Sequence, residues 1–455
     1  MKVSVFGLGK VGITLAGCLA AAGHEVIGVD PVKEHVEALR KGTFDTSEPG
    51  VLERLEKSAG RLELTTDPAT AVLGSSLSFV IVPTPSNTLG GFSLRYVLQV
   101  CEEIGTALRN KDARHTVAIV STVLPGSCEH SILPRLEEFS GRQLGDRLGF
   151  CYNPSFIALG EVVRGLEEPD YLLIGEADPA SGDAVLEASE GMVRNGAPAA
   201  RMTLTEAEIT KLASNTHETL RVSFANMLLE ACSEIPGADV DRITSALSHR
   251  IGSRFLRGAA PYGGPCWPRD NDALAAFLDV ARVSSRLPRE VHLFNEEHGR
   301  YLLQKILAHS TPGDTVGILG LSYKPRTPVV DHSFGLELAR WLVQERRRVI
   351  GWDPLARPQA ERELAHPAFE CVDTAEECLR RSQAVVLANM MPEFGTIDWA
   401  AAQDGTTVVD CWRCLSEEAR AAVGRYVAMG QGPDDRDHRS WVRENFGDRF
   451  DLLIG

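Results

Sequence analysis

The sequence predicts an α/β protein with two doubly wound, Rossmann-like domains joined by a central segment of long helices. Three observations support this fold class. An apolar run at residues 2–6 enters a glycine-rich turn, and a similar unit begins after Pro312. Between the two, residues 201–300 show helical periodicity with few strand signals. Alternation of strands and helices is typical of parallel sheets covered on both faces. We therefore expect domains at 1–200, 201–300 and 301–455.

Composition narrows the function classes. The 455 residues are 44% hydrophobic, which is typical of a globular chain with two or three domains. The net charge of −15 argues against nucleic acid or an anionic membrane as the main partner. No apolar run is long enough for a membrane span, and the first residues lack the features of a signal peptide. Ten scattered cysteines indicate reduced thiols in the cytoplasm, and no metal site is expected, including at the C-x-x-C of Cys411 and Cys414.

Strands and helices alternate in the predicted first domain. After the strand at 2–6, a helical pattern continues to about Ala22, and a second strand runs from Glu25 to Val29 and ends at Asp30. The further predicted strands of this domain are Leu77–Val82, Thr116–Val120 and Phe150–Tyr152. This order predicts a parallel sheet with helices on both faces.

Two long helical patterns follow, at Thr203–Glu234 and Leu274–His298. A helix of this length near a domain junction is typical of a dimer interface, so a homodimer is expected. The predicted elements of the last domain are strands at Val316–Leu321, Val349–Asp353, Ala384–Ala388 and Thr407–Asp410 and a helix at Phe334–Glu345. The tail after Gly430, whose first residues up to Asp437 are rich in Gly, Asp and Arg, is predicted to be a surface extension.

The glycine-rich turn matches a dinucleotide-binding fingerprint. Gly7, Gly9 and Gly12 follow a strand and open a helix, at positions where a tight turn, a close phosphate and close helix packing require glycine. Phosphates then lie at the positive helix N-terminus. Asp30 can accept hydrogen bonds from ribose hydroxyls and would repel a 2′-phosphate, so the pattern predicts NAD as cofactor.

Further polar residues occur where ligands of open α/β sheets bind. Thr84 and Thr122 lie in loops after predicted strands, where small hydroxyls contact either a ligand or a neighbouring helix end. Lys211 and Asn215 are four residues apart, so they share one face of a helix. Together they could stabilise negative charge on a reacting oxygen.

Cys266 stands in the string Tyr262-Gly263-Gly264-Pro265-Cys266-Trp267-Pro268-Arg269-Asp270. The glycines predict a loop whose backbone is open to ligand, and the prolines restrict it. Arg269 and Asp270 could activate the thiol and assist proton transfer. A thiolate can trap an aldehyde, lose a second hydride and become a thioester. The combination of a nicotinamide site and this thiol predicts four-electron oxidation of an alcohol to an acid.

These motifs, together with the basic stretch that contains Arg250, Arg254 and Arg257, resemble the UDP-glucose/GDP-mannose 6-dehydrogenase family. The likeness extends to about Leu415. It implies oxidation of the C6 hydroxymethyl group of a nucleotide sugar with two NAD⁺, a UDP-sugar being favoured. It also implies an N-terminal NAD-binding domain, a central domain with the cysteine loop and a C-terminal nucleotide-sugar-binding domain.

The resemblance assigns roles residue by residue. The implied catalytic residues are Cys266, Lys211, Asn215, Asp270 and Thr122. The implied cofactor-binding residues are Gly7, Gly9, Val11, Gly12, Asp30, Thr84, Thr122 and Arg269. The implied substrate-binding residues are Lys211, Arg250, Arg254, Phe255, Arg257, Tyr262, Gly263, Lys324 and Arg413.

One departure from the family pattern concerns the last chemical step. The family has a glutamate that assists thioester hydrolysis where this chain has Ser155, and Leu159 stands where many relatives carry another glutamate. Hydrolysis supported by Asp270 and Thr122, rescue by Glu161, and release of a different product are the open outcomes. Two other functions are compatible with parts of the sequence: a two-electron 3-hydroxyacid-type dehydrogenase, and a catalytically impaired relative that binds nucleotide sugars.

Overall fold

The computed structural model describes residues 1–44, 46–58, 60–433 and 437–445. The chain divides into two compact units. The first comprises Met1–Ser214 and Asp272–Ser285, and the second comprises Asn215–Asn271 and Arg286–Gly455. Two of the three boundaries, after Ser214 and after Asn271, fall inside helices, so two helices contribute residues to each unit.

The first unit is built on a sheet of eight strands in its described residues. These are β1 (Lys2–Phe6), β2 (Glu25–Val29), β3 (Leu62–Thr65), β4 (Leu77–Val80), β5 (His115–Ile119), β6 (Leu148–Tyr152), β7 (Leu172–Glu176) and β8 (Ala199–Met202). Their order is β3-β2-β1-β4-β5-β6-β7-β8, and every pair is parallel except β6 with β7. The order reverses between β1 and β4, where ligands bind at the carboxyl ends of the strands.

Helices cover both faces of this sheet. They are α1 (Lys10–Ala21), α2 (Lys33–Arg40), α3 (Val51–Lys57), α4 (Pro68–Gly74), α5 (Arg95–Leu108), α6 (Leu133–Ser140), α7 (Val162–Glu167) and α8 (Pro179–Ser189), with a π-helical turn at Cys128–Ile132. Strand β5 shows why two layers are needed. Val117 and Ile119 enter one apolar cluster, while Ala118 enters the other. Alternate side chains of a strand point to opposite faces, so each face needs its own helices.

The second unit combines long helices with a parallel sheet. Its strands are β9 (Thr315–Leu319), β10 (Arg348–Trp352), β11 (Phe369–Cys371), β12 (Ala384–Leu387), β13 (Thr407–Asp410) and β14 (Arg425–Ala428), in the order β11-β10-β9-β12-β13-β14. The helices from the middle of the chain onward are α9 (Leu204–Glu234), α10 (Val240–Ile251), α11 (Trp267–Val280), α12 (Arg286–Leu307), α13 (Phe334–Gln344), α14 (Arg357–Glu363), α15 (Ala375–Arg381) and α16 (Glu417–Ala422). Short 3₁₀ turns lie at Pro392–Gly395 and Trp399–Ala401.

Both sheets repeat one local arrangement. In the first unit, Asp30 after β2 accepts a hydrogen bond from the amide of Leu8, 3.0 Å away. In the second, Asp353 after β10 accepts one from the amide of Leu321 at 2.9 Å and others from the amide and hydroxyl of Ser322. Each acid thereby fixes the turn that follows the first strand of its sheet.

The predicted fold class is confirmed: two parallel-sheet α/β domains and a helix of 31 residues, α9. The single helical pattern predicted at Leu274–His298 is wrong in one respect, because α11 ends at Val280 and α12 begins at Arg286. Strands such as β8 and β14 gave no clear pattern, since they are short and partly exposed. The predicted bounds of three domains stay a prediction, and the predicted surface extension lies partly outside the described residues.

Candidate active site

The fingerprint glycines have two distinct functions in the first unit. Gly7 has a positive φ of 92°, and a Cβ atom there would overlap the carbonyl oxygen of Ile81. A Cβ at Gly12 would overlap the carbonyl of Gly7. Gly9, the N-cap of α1, has no atom within 4 Å of a built Cβ. Gly7 and Gly12 therefore close the turn, and Gly9 leaves room for a pyrophosphate at the first amides of α1, where Val11 also lies.

The acid at the end of β2 is held at this turn. The Asp30 carboxylate accepts hydrogen bonds from the amides of Leu8 and Val32, each at 3.0 Å. Its oxygens retain lone pairs that can accept ribose hydroxyls. His35 from α2 lies 2.8 Å from the Leu8 carbonyl through Nε2. The sequence gave no signal for His35, because its partner is a backbone atom of another element.

Side-chain hydrogen bonds join the loops after β4 and β5. The Thr84 hydroxyl donates to the main-chain oxygen of Thr122 at 2.8 Å. Ser121 Oγ donates to the carbonyl of Val82 at 2.7 Å and accepts from its amide at 2.9 Å. The predicted cofactor-site threonines thus lie together at the carboxyl end of the sheet.

Lys211 lies near the position that departs from the family pattern. Its ammonium donates to the main-chain oxygen of Ser155 at 2.9 Å and lies 4.5 Å from the ring centre of Phe156. Only 7% of Lys211 is exposed. The lysine is therefore held by the loop after β6, through a backbone atom that any residue at position 155 would supply.

One turn before Lys211, Glu208 is fully buried. Its carboxylate accepts hydrogen bonds from the amides of Gly126 at 2.6 Å and Cys128 at 2.8 Å. Burial raises the pKa of Glu208 above its usual value, and the amide hydrogen bonds oppose that change. Glu208 thus ties the loop that carries Thr122 to the helix that carries Lys211. No sequence pattern predicted this role of Glu208, because its two partners are backbone amides of a distant loop.

The residues considered for thioester hydrolysis differ in their surroundings. Leu159 packs against the apolar core of the first unit. Glu161 lies at the start of α7, where its carboxylate is 3.4 Å from the guanidinium of Arg164. A catalytic role for Glu161 stays a prediction.

In the second unit, Cys266 immediately precedes α11, and its carbonyl accepts the first helical hydrogen bond, from the amide of Asp270 at 2.9 Å. Negative charge is stabilised at a helix N-terminus. All ten cysteines lie in described residues, and Cys266 is the exposed one. Burial raises the pKa of other thiols, for example that of Cys18 to about 12. Cys266 is thus the thiol available for chemistry.

Asn215 and Asp270, both predicted to be catalytic, are in contact. The amide nitrogen of Asn215 donates to Asp270 Oδ2 at 2.6 Å, and 1% of Asp270 is exposed. Arg269 Nε lies 3.4 Å from the other carboxylate oxygen. An asparagine amide has two N–H groups, so one can hold Asp270 while the other faces a reacting oxygen.

Tyr262 is fixed by residues that the sequence did not single out. Asn295 accepts from its amide at 2.8 Å and donates to its carbonyl at 2.9 Å. Asn271 donates to the phenolic oxygen at 3.0 Å. The Trp267 ring meets the rings of Tyr262 and Phe255 edge to face, at 5.9 and 5.4 Å. The aromatic residues next to the thiol form one packed group.

The predicted arginine loop follows α10. Arg221 donates to the carbonyls of Ile251, Gly252 and Arg254, at 2.9, 2.6 and 2.8 Å, and so fixes this loop. The predicted substrate-binding arginines are all exposed: Arg250 in the last turn of α10, and Arg254 and Arg257 in the loop. Their side chains can therefore reach an anionic ligand, although Arg257 also donates to the Trp412 carbonyl at 2.5 Å.

Arg413 has a different environment from the one expected. Its guanidinium forms a bidentate ion pair with Asp241, at 2.8 and 2.9 Å. It also donates to the carbonyls of Cys411, Met429 and Gly258. These bonds engage all five N–H donors of an arginine. Arg413 thus connects α10 to the end of β13 and stabilises the fold. Contact of Arg413 with substrate stays a prediction. The same holds for the half-buried Lys324.

The described residues contain neither a membrane-spanning helix nor a metal-binding group of side chains. No helix among them is long and apolar enough to cross a membrane. Within the same ranges, no three His, Cys, Asp or Glu side chains form a group that could hold a metal ion. Cys414 of the C-x-x-C is half-buried, and burial raises its pKa to about 12.

Comparisons with known proteins agree with this geometry. Profiles of the UDP-glucose/GDP-mannose dehydrogenase family match the NAD binding domain at residues 1–190, the central domain at 205–297 and the UDP binding domain at 317–417. The GDP-mannose 6-dehydrogenase of Pseudomonas aeruginosa is 33% identical over 406 residues, covering 86% of this chain and 91% of the relative. The UDP-glucose 6-dehydrogenase of Haloferax volcanii is 31% identical over 404 residues, covering 88% and 93%.

A solved structure is similar over nearly the whole chain. The UDP-glucose dehydrogenase from the archaeon Pyrobaculum islandicum aligns with a TM-score of 0.85 and 30% identity, covering 94% of this chain and 98% of that one. The match to the NAD binding domain confirms the predicted cofactor, and the space at Gly9 with the acid at Asp30 fits it. The chain therefore belongs to the UDP-glucose/GDP-mannose dehydrogenase family and is an NAD-dependent nucleotide-sugar dehydrogenase.

Proposed function

We propose that the chain catalyses the four-electron oxidation of the C6 hydroxymethyl group of a nucleotide sugar to a carboxylate, through a covalent bond to Cys266. The observation that carries this proposal is the position of that thiol. It is exposed at the start of α11, one helical turn before Asp270, which is bonded to Asn215. A simple alcohol dehydrogenation needs no nucleophile, whereas oxidation of the aldehyde to an acid does.

NAD⁺ supplies the chemistry of accepting a hydride, once at each of two oxidation steps. In the first, C6 loses a hydride and its hydroxyl loses a proton, which gives the aldehyde. The Cys266 thiolate then adds to the aldehyde carbon, and the carbonyl electrons move to oxygen. Loss of the second hydride restores the C=O bond and leaves a thioester on Cys266. Water adds to that carbon, the C–S bond breaks, and the thiolate and the carboxylic acid are released.

The remaining residues act on charge and protons. Asn215 holds Asp270 and can donate its second N–H to the oxygen of the thiohemiacetal. Lys211 would stabilise the same negative charge. Asp270, buried beside Arg269, is proposed to accept the proton of the hydrolytic water, since Ser155 cannot act as a base at neutral pH. Thr122 is proposed to orient that water.

Substrate binding is assigned to the exposed arginines at the end of α10 and in the loop that follows it, and to Lys324. The guanidinium groups of Arg250 and Arg254 are suited to diphosphate oxygens. We propose a UDP-sugar, which agrees with the UDP binding domain profile. A GDP-sugar is the second candidate, because the Pseudomonas aeruginosa relative is named for GDP-mannose.

The experiment is a count of NADH formed per sugar consumed, with UDP-, GDP-, dTDP- and CDP-sugars as substrates. Two NADH and a uronic acid are expected from the preferred sugar. One NADH with a trappable aldehyde would contradict the four-electron proposal. Cys266→Ala should abolish acid formation, and Cys414→Ala, at a half-buried thiol, is the matched control. Full activity of Cys266→Ala would favour a two-electron dehydrogenase, and nucleotide-sugar binding without NADH would favour an impaired relative.

We also propose a homodimer that forms through the long helix. Phe224 and Met227 of α9 are large apolar residues with 39% and 46% of their surface exposed. Exposed apolar residues on one helix favour association. Light scattering should give twice the mass of one chain, and a monomer at micromolar concentration would contradict this.

The ten free cysteines support the proposal that the protein works in the reducing cytoplasm.

A further inference from the structure

A segment of the second unit, between β9 and α13, packs against the backbone of the cysteine loop. The amide of Gly264 donates to the Asp331 carbonyl at 2.9 Å. A Cβ atom at Gly263 would overlap the carbonyl oxygen of His332. The two glycines were expected to expose the loop to ligand. In the structure they instead allow another part of the chain to approach the backbone closely.

Tyr323 occupies the space that a side chain at position 264 would need. A Cβ built on Gly264 lies 2.6 Å from both Cδ2 and Cε2 of the Tyr323 ring. Side-chain atoms essentially never approach so closely. The ring therefore lies directly on the backbone two residues before Cys266.

The segment that carries Tyr323 is itself held in place by hydrogen bonds. The amide of Tyr323 donates to the Val329 carbonyl at 3.0 Å. The preceding residue, Ser322, is bonded to Asp353 through both its amide and its hydroxyl. At the other end of the segment, His332 has a φ of 48°, a conformation that is rare for a residue other than glycine. A strained residue persists only where its surroundings hold it, so this segment can serve as a rigid support.

We propose that Tyr323 is a positioning residue for Cys266. Its ring presses on Gly264 and sets the direction in which the chain enters α11. The cysteine loop is then fixed on three sides: by Asn295 at Tyr262, by Tyr323 at Gly264, and by the first helical hydrogen bond at the carbonyl of Cys266. The role of Cys266 as nucleophile rests on the proposed function, whereas its placement by Tyr323 does not.

The test is the rate at which iodoacetamide alkylates Cys266 at pH 7, followed by peptide mass in the absence of nucleotide and NAD. Tyr323→Ala should slow alkylation at least about fivefold, because the thiol leaves the helix N-terminus that stabilises the thiolate. Tyr323→Phe should stay within about twofold of the parent, because it keeps the ring that packs on Gly264. A rate in Tyr323→Ala equal to or above that of the parent would overturn the proposal.

A pair of glycine variants separates positioning from general damage. Gly264→Ala should slow alkylation, because the new methyl group meets the Tyr323 ring. Adding Tyr323→Ala to it should restore part of the rate, since the ring is gone; the strain of φ +88° at position 264 stays. Gly263→Ala is the control, because its new methyl group meets the backbone carbonyl of His332 and Tyr323→Ala cannot relieve that. Equal responses of the two glycine variants to Tyr323→Ala would refute the contact as the cause.

Turnover gives an independent measurement. In Tyr323→Ala, kcat should fall while the KM for NAD⁺ stays within about twofold, because the fingerprint and Asp30 are untouched. Thermal unfolding and NAD⁺ binding identify a variant that has failed to fold. Because alkylation requires no substrate, it can confirm the positioning role even if the NADH count contradicts the four-electron reaction.

Discussion

Lowering the pH from 8 to 5 should destabilise the first unit through His115, and His115→Gln should remove that part of the loss. His115 belongs to β5 and is fully buried. Its Nε2 lies 2.8 Å from Ser78 Oγ, and its Nδ1 lies 3.2 Å from the Lys111 ammonium. Burial, and secondarily the positive charge of Lys111, lowers the pKa of His115 to about 3.

The sign and size follow from the difference between the folded and unfolded states. In the unfolded chain a histidine takes up a proton near pH 6.5, whereas the folded chain holds His115 neutral until about pH 3. Its contribution to stability is therefore complete above pH 6.5 and is lost progressively as the pH falls toward 3. The slope approaches roughly 1.4 kcal/mol per pH unit, which gives about 2 kcal/mol at pH 5.

The assay is urea unfolding of the parent and of His115→Gln at several pH values between 5 and 8. Glutamine does not titrate and can still form a hydrogen bond to Ser78. The difference in unfolding free energy between the two proteins should shrink by about 2 kcal/mol from pH 8 to pH 5. His130→Gln, at an exposed position of the same unit, is the control. A difference between parent and His115→Gln that is constant with pH would refute the reasoning.

Three further predictions concern residues that hold the sites in place. Glu208→Gln should lower kcat about tenfold with little change in the KM for NAD⁺, as steady-state kinetics can check. The amides of Gly126 and Cys128 each donate to a different oxygen of Glu208, and glutamine replaces one of these oxygens with an NH₂ group that cannot accept. His35→Ala should weaken NAD⁺ binding about fivefold, measured by calorimetry, because one hydrogen bond to the Leu8 carbonyl is lost. His35→Gln should recover part of the lost affinity. Asp241→Asn should lower the free energy of unfolding by about 2 kcal/mol and the melting temperature by several degrees, because it leaves the buried guanidinium of Arg413 without its counter-charge. An unchanged melting temperature would contradict the structural role of Arg413.

Local sequence patterns predicted the features that depend on neighbouring residues. Gly7, Gly9 and Gly12 and the acid at Asp30 lie within one strand–helix–strand unit, so their spacing alone indicates a dinucleotide site. Cys266 and Asp270 are likewise close in sequence, and their spacing places them one helical turn apart. In each case the residues that define the feature are close in sequence, and the local backbone geometry brings them together.

Features that depend on distant partners could not be predicted. The glycines of the cysteine loop were interpreted as open to ligand, but Gly264 faces Tyr323, which lies far along the chain in another element. The family resemblance implied that Arg413 contacts substrate, yet Asp241 on α10 and three carbonyls engage its donors. A basic residue at a strand end has the same sequence pattern whether it binds a ligand or braces the fold.

The repeated acid at the end of the second strand of each sheet has a consequence for ligand stoichiometry. Asp353 accepts from Leu321, from Ser322 twice, and also from the amides of Leu355 and Ala356. A carboxylate offers about four lone-pair sites, so these donors saturate it. Asp30, bonded to two amides, keeps acceptor capacity for a ribose diol. The acid of the first sheet can therefore bind the ribose of a dinucleotide, whereas the corresponding acid of the second sheet is fully occupied by bonds within the protein. Each chain should therefore bind a single equivalent of NAD⁺.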